Sequence, residues 1–113
     1  METGSFLTNV TYDDVRPKVD VILETLFSKE IRIAMVKDQL MKDHSAPLPI
    51  VVHVLKGQID FGTEQGQLVL NTGDMVSVEP SVRHNLFAKE ASVVRLTLAK
   101  GDSVNRVKDA VLK

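Results

Sequence analysis

From Val19 to Leu98 the apolar residues recur mostly at every second position, in short runs broken at close intervals by glycine, proline or a polar cluster. A side-chain period of two belongs to a strand. Short strands joined by tight turns can bury their apolar faces only by stacking as two sheets or closing into a barrel. The expected fold is therefore all-β, a single antiparallel barrel of two facing sheets. Val19–Phe27 is the first run, and Ser28-Lys29-Glu30 is the expected turn into Ile31–Val36, where Ile31, Ile33 and Met35 share a face. Leu40 and Met41 then lead to His44. Ile50–Leu55 is nearly continuous in apolar character, the pattern of a strand covered on both faces, and Gly57 ends it. Gln58–Phe61 alternates, Gly62–Gly66 supplies a hairpin turn into Gln67–Leu70, and Asn71-Thr72-Gly73-Asp74 is the next turn, with Gly73 expected at positive φ. Met75–Val78, His84–Ala88 and Ser92–Leu98 complete the set.

A chain of 113 residues is one domain with room for a single core. Lys and Arg number 14 against 15 Asp and Glu, mixed along the chain, so no basic stripe exists to follow a phosphate backbone and nucleic-acid binding is not expected. The absence of cysteine excludes disulfides, thiolate metal sites and a cysteine nucleophile. No apolar stretch reaches membrane-spanning length, and the first ten residues lack a signal-peptide pattern; the expectation is a cytoplasmic protein with no membrane partner. Residues 1–18 carry few apolar side chains beyond Phe6, Leu7, Val10 and Tyr12 and read as an arm whose order depends on docking, onto a second subunit for example. Residues 19–100 form the barrel. In residues 101–113, Asp102-Ser103 is a helix N-cap signal followed by Val104, Val107, Val111 and Leu112 at helical spacing, so a short amphipathic helix and a frayed tail are the two readings.

Two segments carry the chemistry. H-S-A-P-L-P-I-V-V-H-V-L-K-G (His44–Gly57) leads from an imidazole through a bend into an apolar strand, and G-D-M-V-S-V-E-P-S-V-R-H (Gly73–His84) leads from a turn through a strand and a second turn to another imidazole. Together they resemble the paired motifs of the cupin superfamily, in particular a small single-domain cupin of the cupin-2 type. The resemblance covers roughly Ile31 to Leu98 and implies a double-stranded β-helix, the jelly-roll barrel. In that family the first motif supplies two histidines and a glutamate to a metal, and the second supplies a third histidine. Counting back from Gly57 puts His44 on the first histidine, Ala46 on the second and Ile50 on the glutamate, while His84 falls on the histidine of the second motif. Glu79 stands where proline is usual, Ser81 replaces the turn glycine, and Ala88 replaces the final asparagine.

The resemblance thus implies a degenerate site. Two imidazoles without the third histidine and the carboxylate hold a transition metal (Ni, Zn, Fe or Mn) only weakly, and Ala46 and Ile50 make the surroundings more apolar and costlier for a cation. Metal ligation by His44 and His84 stands beside the plainer reading, a hydrogen-bonded core histidine at 84 and a solvated loop residue at 44. Strand parity from Ile50 sends Ile50 and Val52 one way and His53 the other, toward the outer sheet face or a subunit contact; a bulge made by Pro47 and Pro49 would reverse that and bring His53 in as a third ligand. Glu79, at the mouth of the expected barrel, has two readings, a salt bridge with Arg83, which is preferred, and an approach to a ligand. No G-x-S-x-G elbow and no glycine-rich phosphate loop is present.

Three functions follow, in order of preference. The first is binding of a small organic ligand in an apolar pocket lined by His44, Ala46, Ile50, Val52 and His84, without a full catalytic metal. The second is a metal-dependent cupin enzyme, dioxygenase- or isomerase-like, with a reduced two-histidine site. The third is a structural or interaction module. Whether the chain is an enzyme stays open at this point, and a homodimer is expected because pairing a barrel edge with its symmetry mate removes exposed ladder groups.

Overall fold

The computed structural model describes residues 1–112. The strands are β1 (Lys18–Glu24), β2 (Ser28–Met35), β3 (Leu40–His44), β4 (Ile50–Lys56), β5 (Gln58–Thr63), β6 (Gly66–Asn71), β7 (Met75–Val78), β8 (His84–Ala88) and β9 (Ser92–Ala99), followed by the helix α1 (Val104–Ala110). They form a five-stranded sheet in the order β1-β2-β9-β4-β7 and a four-stranded sheet in the order β3-β8-β5-β6. Every pairing is antiparallel. The inward residues of the two sheets, among them Ile31, Ile33, Met35, Ile50, Val52, Val54, Ile59, Phe61, Leu86, Val94, Leu96 and Leu98, make one continuous core. Among the described residues no helix is long and apolar enough to cross a membrane.

Cross-strand register decides which residues meet at the ends of the barrel. His44 lies opposite His84, and His84 lies opposite Thr63, so these three make the last inward row of the four-stranded sheet at one end. Ile50 lies opposite both Val78 and Leu98, which makes the facing row of the five-stranded sheet. The connections 45–49 and 79–83 join those rows across the same end, and the Ser81 amide donates to the Ala46 carbonyl at 2.8 Å, pinning the two loops together.

Two expectations about strands are corrected. Ser28-Lys29-Glu30 is not a turn: it opens β2, and the chain reverses at Thr25–Phe27, where the Thr25 hydroxyl accepts from the Ser28 amide at 2.8 Å and the Thr25 amide donates to the Ser28 carbonyl at 2.9 Å. The polar triplet is a strand because Glu30 has partners waiting on the outer face. Its carboxylate accepts from Ser28 Oγ (2.7 Å), Thr97 Oγ1 (2.7 Å) and Arg95 Nε (3.0 Å). Burial alone would push that carboxyl up, and the three donors together hold it below the usual carboxylate value. The second correction concerns β4, which is not covered equally on both sides. Ile50, Val52 and Val54 are buried, while Val51, His53 and Leu55 are half-buried on the outer face.

At the C-terminus the helix forms, with Ser103 as N-cap accepting from the Asn105 amide at 3.1 Å. Val107, Ala110 and Val111 join the core. Asp102, buried, receives Arg106 Nε at 2.9 Å and Nη2 at 2.8 Å, and Arg106 Nη1 donates to the Ser45 carbonyl at 3.3 Å, tying the helix to the loop after β3. Asp102→Ala removes one half of this buried pair and strands the other, so we expect a loss of about 3 kcal/mol, measured by urea denaturation. A variant within 0.5 kcal/mol of wild type (roughly the scatter of neutral surface changes) would mean that the pair does not dock α1.

The N-terminal arm lies on its own barrel. Arg32 Nη1 approaches the carbonyls of Phe6 (3.4 Å) and Thr8 (3.5 Å), Arg95 sits 5.8 Å from the centre of the Phe6 ring, and Gln39 Nε2 donates to the Asp13 carbonyl at 2.7 Å.

Candidate functional site

The two histidines of the sequence motifs meet. The rings of His44 and His84 lie edge to face with centroids 4.2 Å apart, and Phe61 stacks on the other side of His84 at 5.6 Å and 16°. Each imidazole is held by the same device, its Nδ1 against a carbonyl two residues back: Lys42 O at 2.8 Å for His44 and Val82 O at 2.9 Å for His84. A carbonyl only accepts, so Nδ1 carries the proton and the lone pair of each neutral ring is on Nε2. Both rings are neutral at physiological pH. Burial pushes His44 down to about 4, against the opposing pull of the Lys42 carbonyl, and neighbouring His84 and Arg106 lower it further. Burial lowers His84 as well.

The other expected pocket residues are at this end too, but as packing. Ala46, Ile50 and Val52 are each at least 97% buried within the core cluster, so the space anticipated between them is filled by the protein's own side chains. His53 does not join the pair. It lies opposite Arg95 and Met75 on the outer face, and the register shift in β4 comes after it, at Val54/Lys56, so the bulge that would have turned it inward does not occur there. Glu79 is exposed, and among the described residues no ion pair joins it to Arg83. Ser81, in place of the turn glycine, holds φ at +69°. An L side chain pays for that conformation about 1–2 kcal/mol, and glycine loses some of the gain to unfolded-state entropy. Ser81→Gly should therefore stabilise the fold by about 0.5–1 kcal/mol in chemical denaturation, and a destabilised variant would contradict the strain assigned to this turn.

Openings lie on either side of the histidine row. On the β3 side, a shallow open hollow is lined by Lys42, Asp43 and His44 with Arg106, Asp109 and Ala110 of the helix. On the opposite side, between the β5–β6 hairpin and β7, lies a more enclosed cleft of about 250 Å³. Its walls are Phe61, Leu68, Val76, Val78 and Val82, and its rim is Thr63, Gln65, Ser77 and Glu79. This cleft touches the histidine row through Thr63, opposite His84, and through Phe61, stacked on it.

Phe61 and Thr63 were not singled out from sequence. The sequence pattern places Thr63 in a hairpin turn over Gly62–Gly66, but β5 runs on through Thr63 and the turn is Glu64-Gln65, so that Phe61 and Thr63 share a face that the β5–β8 pairing puts beside His84.

As a donor set the end row is incomplete. Among the described residues no three His, Cys, Asp or Glu side chains gather into a metal cage. Two imidazole Nε2 atoms with apolar Ala46 and Ile50 at the other two motif positions do not fit the three-imidazole, one-carboxylate centre that the sequence motif implies.

No family model matches the chain, and no curated protein matches it. Solved structures do. An RmlC-like cupin from Desulfovibrio desulfuricans superposes with a TM-score of 0.80 over 88% of this chain and 96% of its own length, at 22% identity. The fold is the cupin fold. An RmlC-like cupin from Shewanella frigidimarina agrees at a TM-score of 0.73, 20% identity, 88% of this chain and 91% of that one. A double-stranded β-helix domain protein from Klebsiella pneumoniae agrees at 0.78, 18% identity, 91% of this chain and 94% of that one. At such identities the likeness concerns the cupin barrel and carries no activity with it.

Proposed function

We propose that this cupin-fold chain binds a small organic ligand and is not a metal-dependent enzyme. The observation that carries this reading is the cleft of about 250 Å³ that reaches the histidine row through Phe61 and Thr63. Its apolar walls and few polar groups are the usual make-up of a ligand site, and its volume, below the usual range of about 300–1,000 Å³, limits the occupant to a small molecule. The missing metal ligands weigh against catalysis of the ordinary cupin kind. A screen of small organic fragments by methyl NMR should give saturable shifts at Val76, Val78, Val82 and Leu68. The narrowing variant Val76→Phe should abolish them while the protein stays folded. Hits that shift only residues remote from this cleft would contradict the proposal.

We further infer that the chain self-associates through the outer face of the five-stranded sheet. Met75 is exposed there beside half-buried Val51 and His53, and aligned edges and faces of this kind are satisfied by a symmetric partner. Sedimentation at micromolar concentration should give a dimer; a monomer contradicts it.

A further inference from the structure

Resting on the assignment of the cleft as the ligand site, we propose that its ligand is a small cation, an aliphatic ammonium with a compact apolar body. The polar lining makes the choice. Of Thr63, Gln65, Ser77 and Glu79, Thr63 is committed to its own turn, where its hydroxyl accepts from the Gln65 amide at 3.1 Å. That leaves an amide, a hydroxyl and one carboxylate. Among the described residues Glu79 is the only charged side chain lining the cleft, and no lysine, arginine or histidine lines it. Nor is the carboxylate spent elsewhere: none of the five ion pairs among the described residues includes it.

The backbone that carries the carboxylate is held in place. Pro80 restricts the backbone of Glu79 to extended conformations, the Ser81 amide is bonded to Ala46, and the Val82 amide closes back on the Glu79 carbonyl at 3.4 Å. Val78 and Val82, on either side of it in sequence, are themselves wall residues, so the charge stands at the rim of the apolar surface. An anionic ligand would meet an unpaired like charge there. A neutral one would gain nothing from that charge, which stays hydrated at the rim. An ammonium pairs with Glu79, donates to Ser77 and the Gln65 carbonyl oxygen, and lays its hydrocarbon on Leu68, Val76 and Phe61.

Three isosteres of one branched skeleton test this: 3-methylbutan-1-amine, 3-methylbutan-1-ol and 3-methylbutanoate, titrated into the full chain and followed by the methyl resonances of Leu68, Val76, Val78 and Val82. The amine should bind about fivefold more tightly than the alcohol, the carboxylate should bind weakest, and added salt should shrink the difference. Glu79→Gln, at an exposed position that leaves the fold intact, should bring amine and alcohol to equal affinity. Equal binding of amine and alcohol by the wild-type chain, or an amine preference unchanged in Glu79→Gln, overturns the cationic assignment and leaves the cleft as a ligand site. If none of the three probes moves those methyls, the cleft assignment falls with it.

Discussion

The double variant Ala46→His, Ile50→Glu is expected to bind Ni or Zn orders of magnitude more tightly than the wild-type chain. The wild type offers two neutral imidazoles with Nδ1 bonded to carbonyls and the lone pair on Nε2, and among the described residues no third His, Asp or Glu joins them in a metal-holding group. Ala46 is fixed to the 79–83 loop that delivers His84, and Ile50 lies in the facing end row next to Val78. Substitution at both places supplies a third imidazole and a carboxylate, a set that suits a divalent transition metal. Without metal the variant should be less stable by about 3 kcal/mol, since a carboxylate is then buried among Val78, Leu98 and the core without a partner. Saturating metal should restore the loss, because binding to the folded state alone adds to its stability. Calorimetric titration and thermal melts with and without Ni read both effects. A folded double variant with wild-type metal affinity would show that the four positions do not converge.

Stability should also depend on pH in two separate windows. His44 and His84 both have folded-state values below the ordinary histidine value, His44 at about 4, so the unfolded chain takes up protons that the folded chain refuses. Their contribution is fully present above about pH 6.5 and is lost as pH falls from there toward 4. For the half-buried His44 the loss is on the order of 2 kcal/mol after allowance for solvent screening. Glu30 and Asp102 act lower down. Burial opposes their ionisation, but hydrogen bonds from Thr97, Ser28 and Arg95 in one case and from Arg106 in the other outweigh it, and their folded values lie below the usual ones. Their stabilisation holds above the ordinary carboxylate value and disappears as pH falls through the depressed values, below about pH 4. Urea midpoints taken from pH 7 to pH 3 should therefore decline in two stages, and His44→Gln should shrink the first stage to the His84 contribution while leaving the second. A profile flat from pH 7 to 4 would contradict the burial of the imidazole pair.

The barrel was legible in the sequence because strand alternation and turn residues are local signals. Gly73 shows this directly: a glycine after Asn-Thr and before Asp is a turn signal, and its φ is +96°. The pairing of His44 with His84 came only from motif spacing, since strands so far apart in sequence are brought together by topology. Ser28–Glu30 was misplaced for a physical reason. Consecutive polar residues read as a loop unless the partners of the carboxylate are known, and those partners, Arg95 and Thr97, lie on β9. The filling of the expected pocket was likewise hidden. Ala46 and Ile50 indicate an apolar environment, but whether apolar side chains line a space or close it depends on how the two sheets approach. The cleft at Phe61 and Thr63 depends on the β5–β8 and β5–β6 registers, which no local pattern fixes.

The metal content of untagged protein, expressed in medium supplemented with Ni, Zn, Fe and Mn and dialysed against chelator, decides between a ligand-binding barrel and a metal centre at the histidine pair. A binding protein whose two imidazoles are joined by no third ligand among the described residues should retain well below one metal ion per chain. Retention of one transition-metal ion per chain, lost in His84→Ala, would contradict the account and establish the two-histidine row as a metal centre.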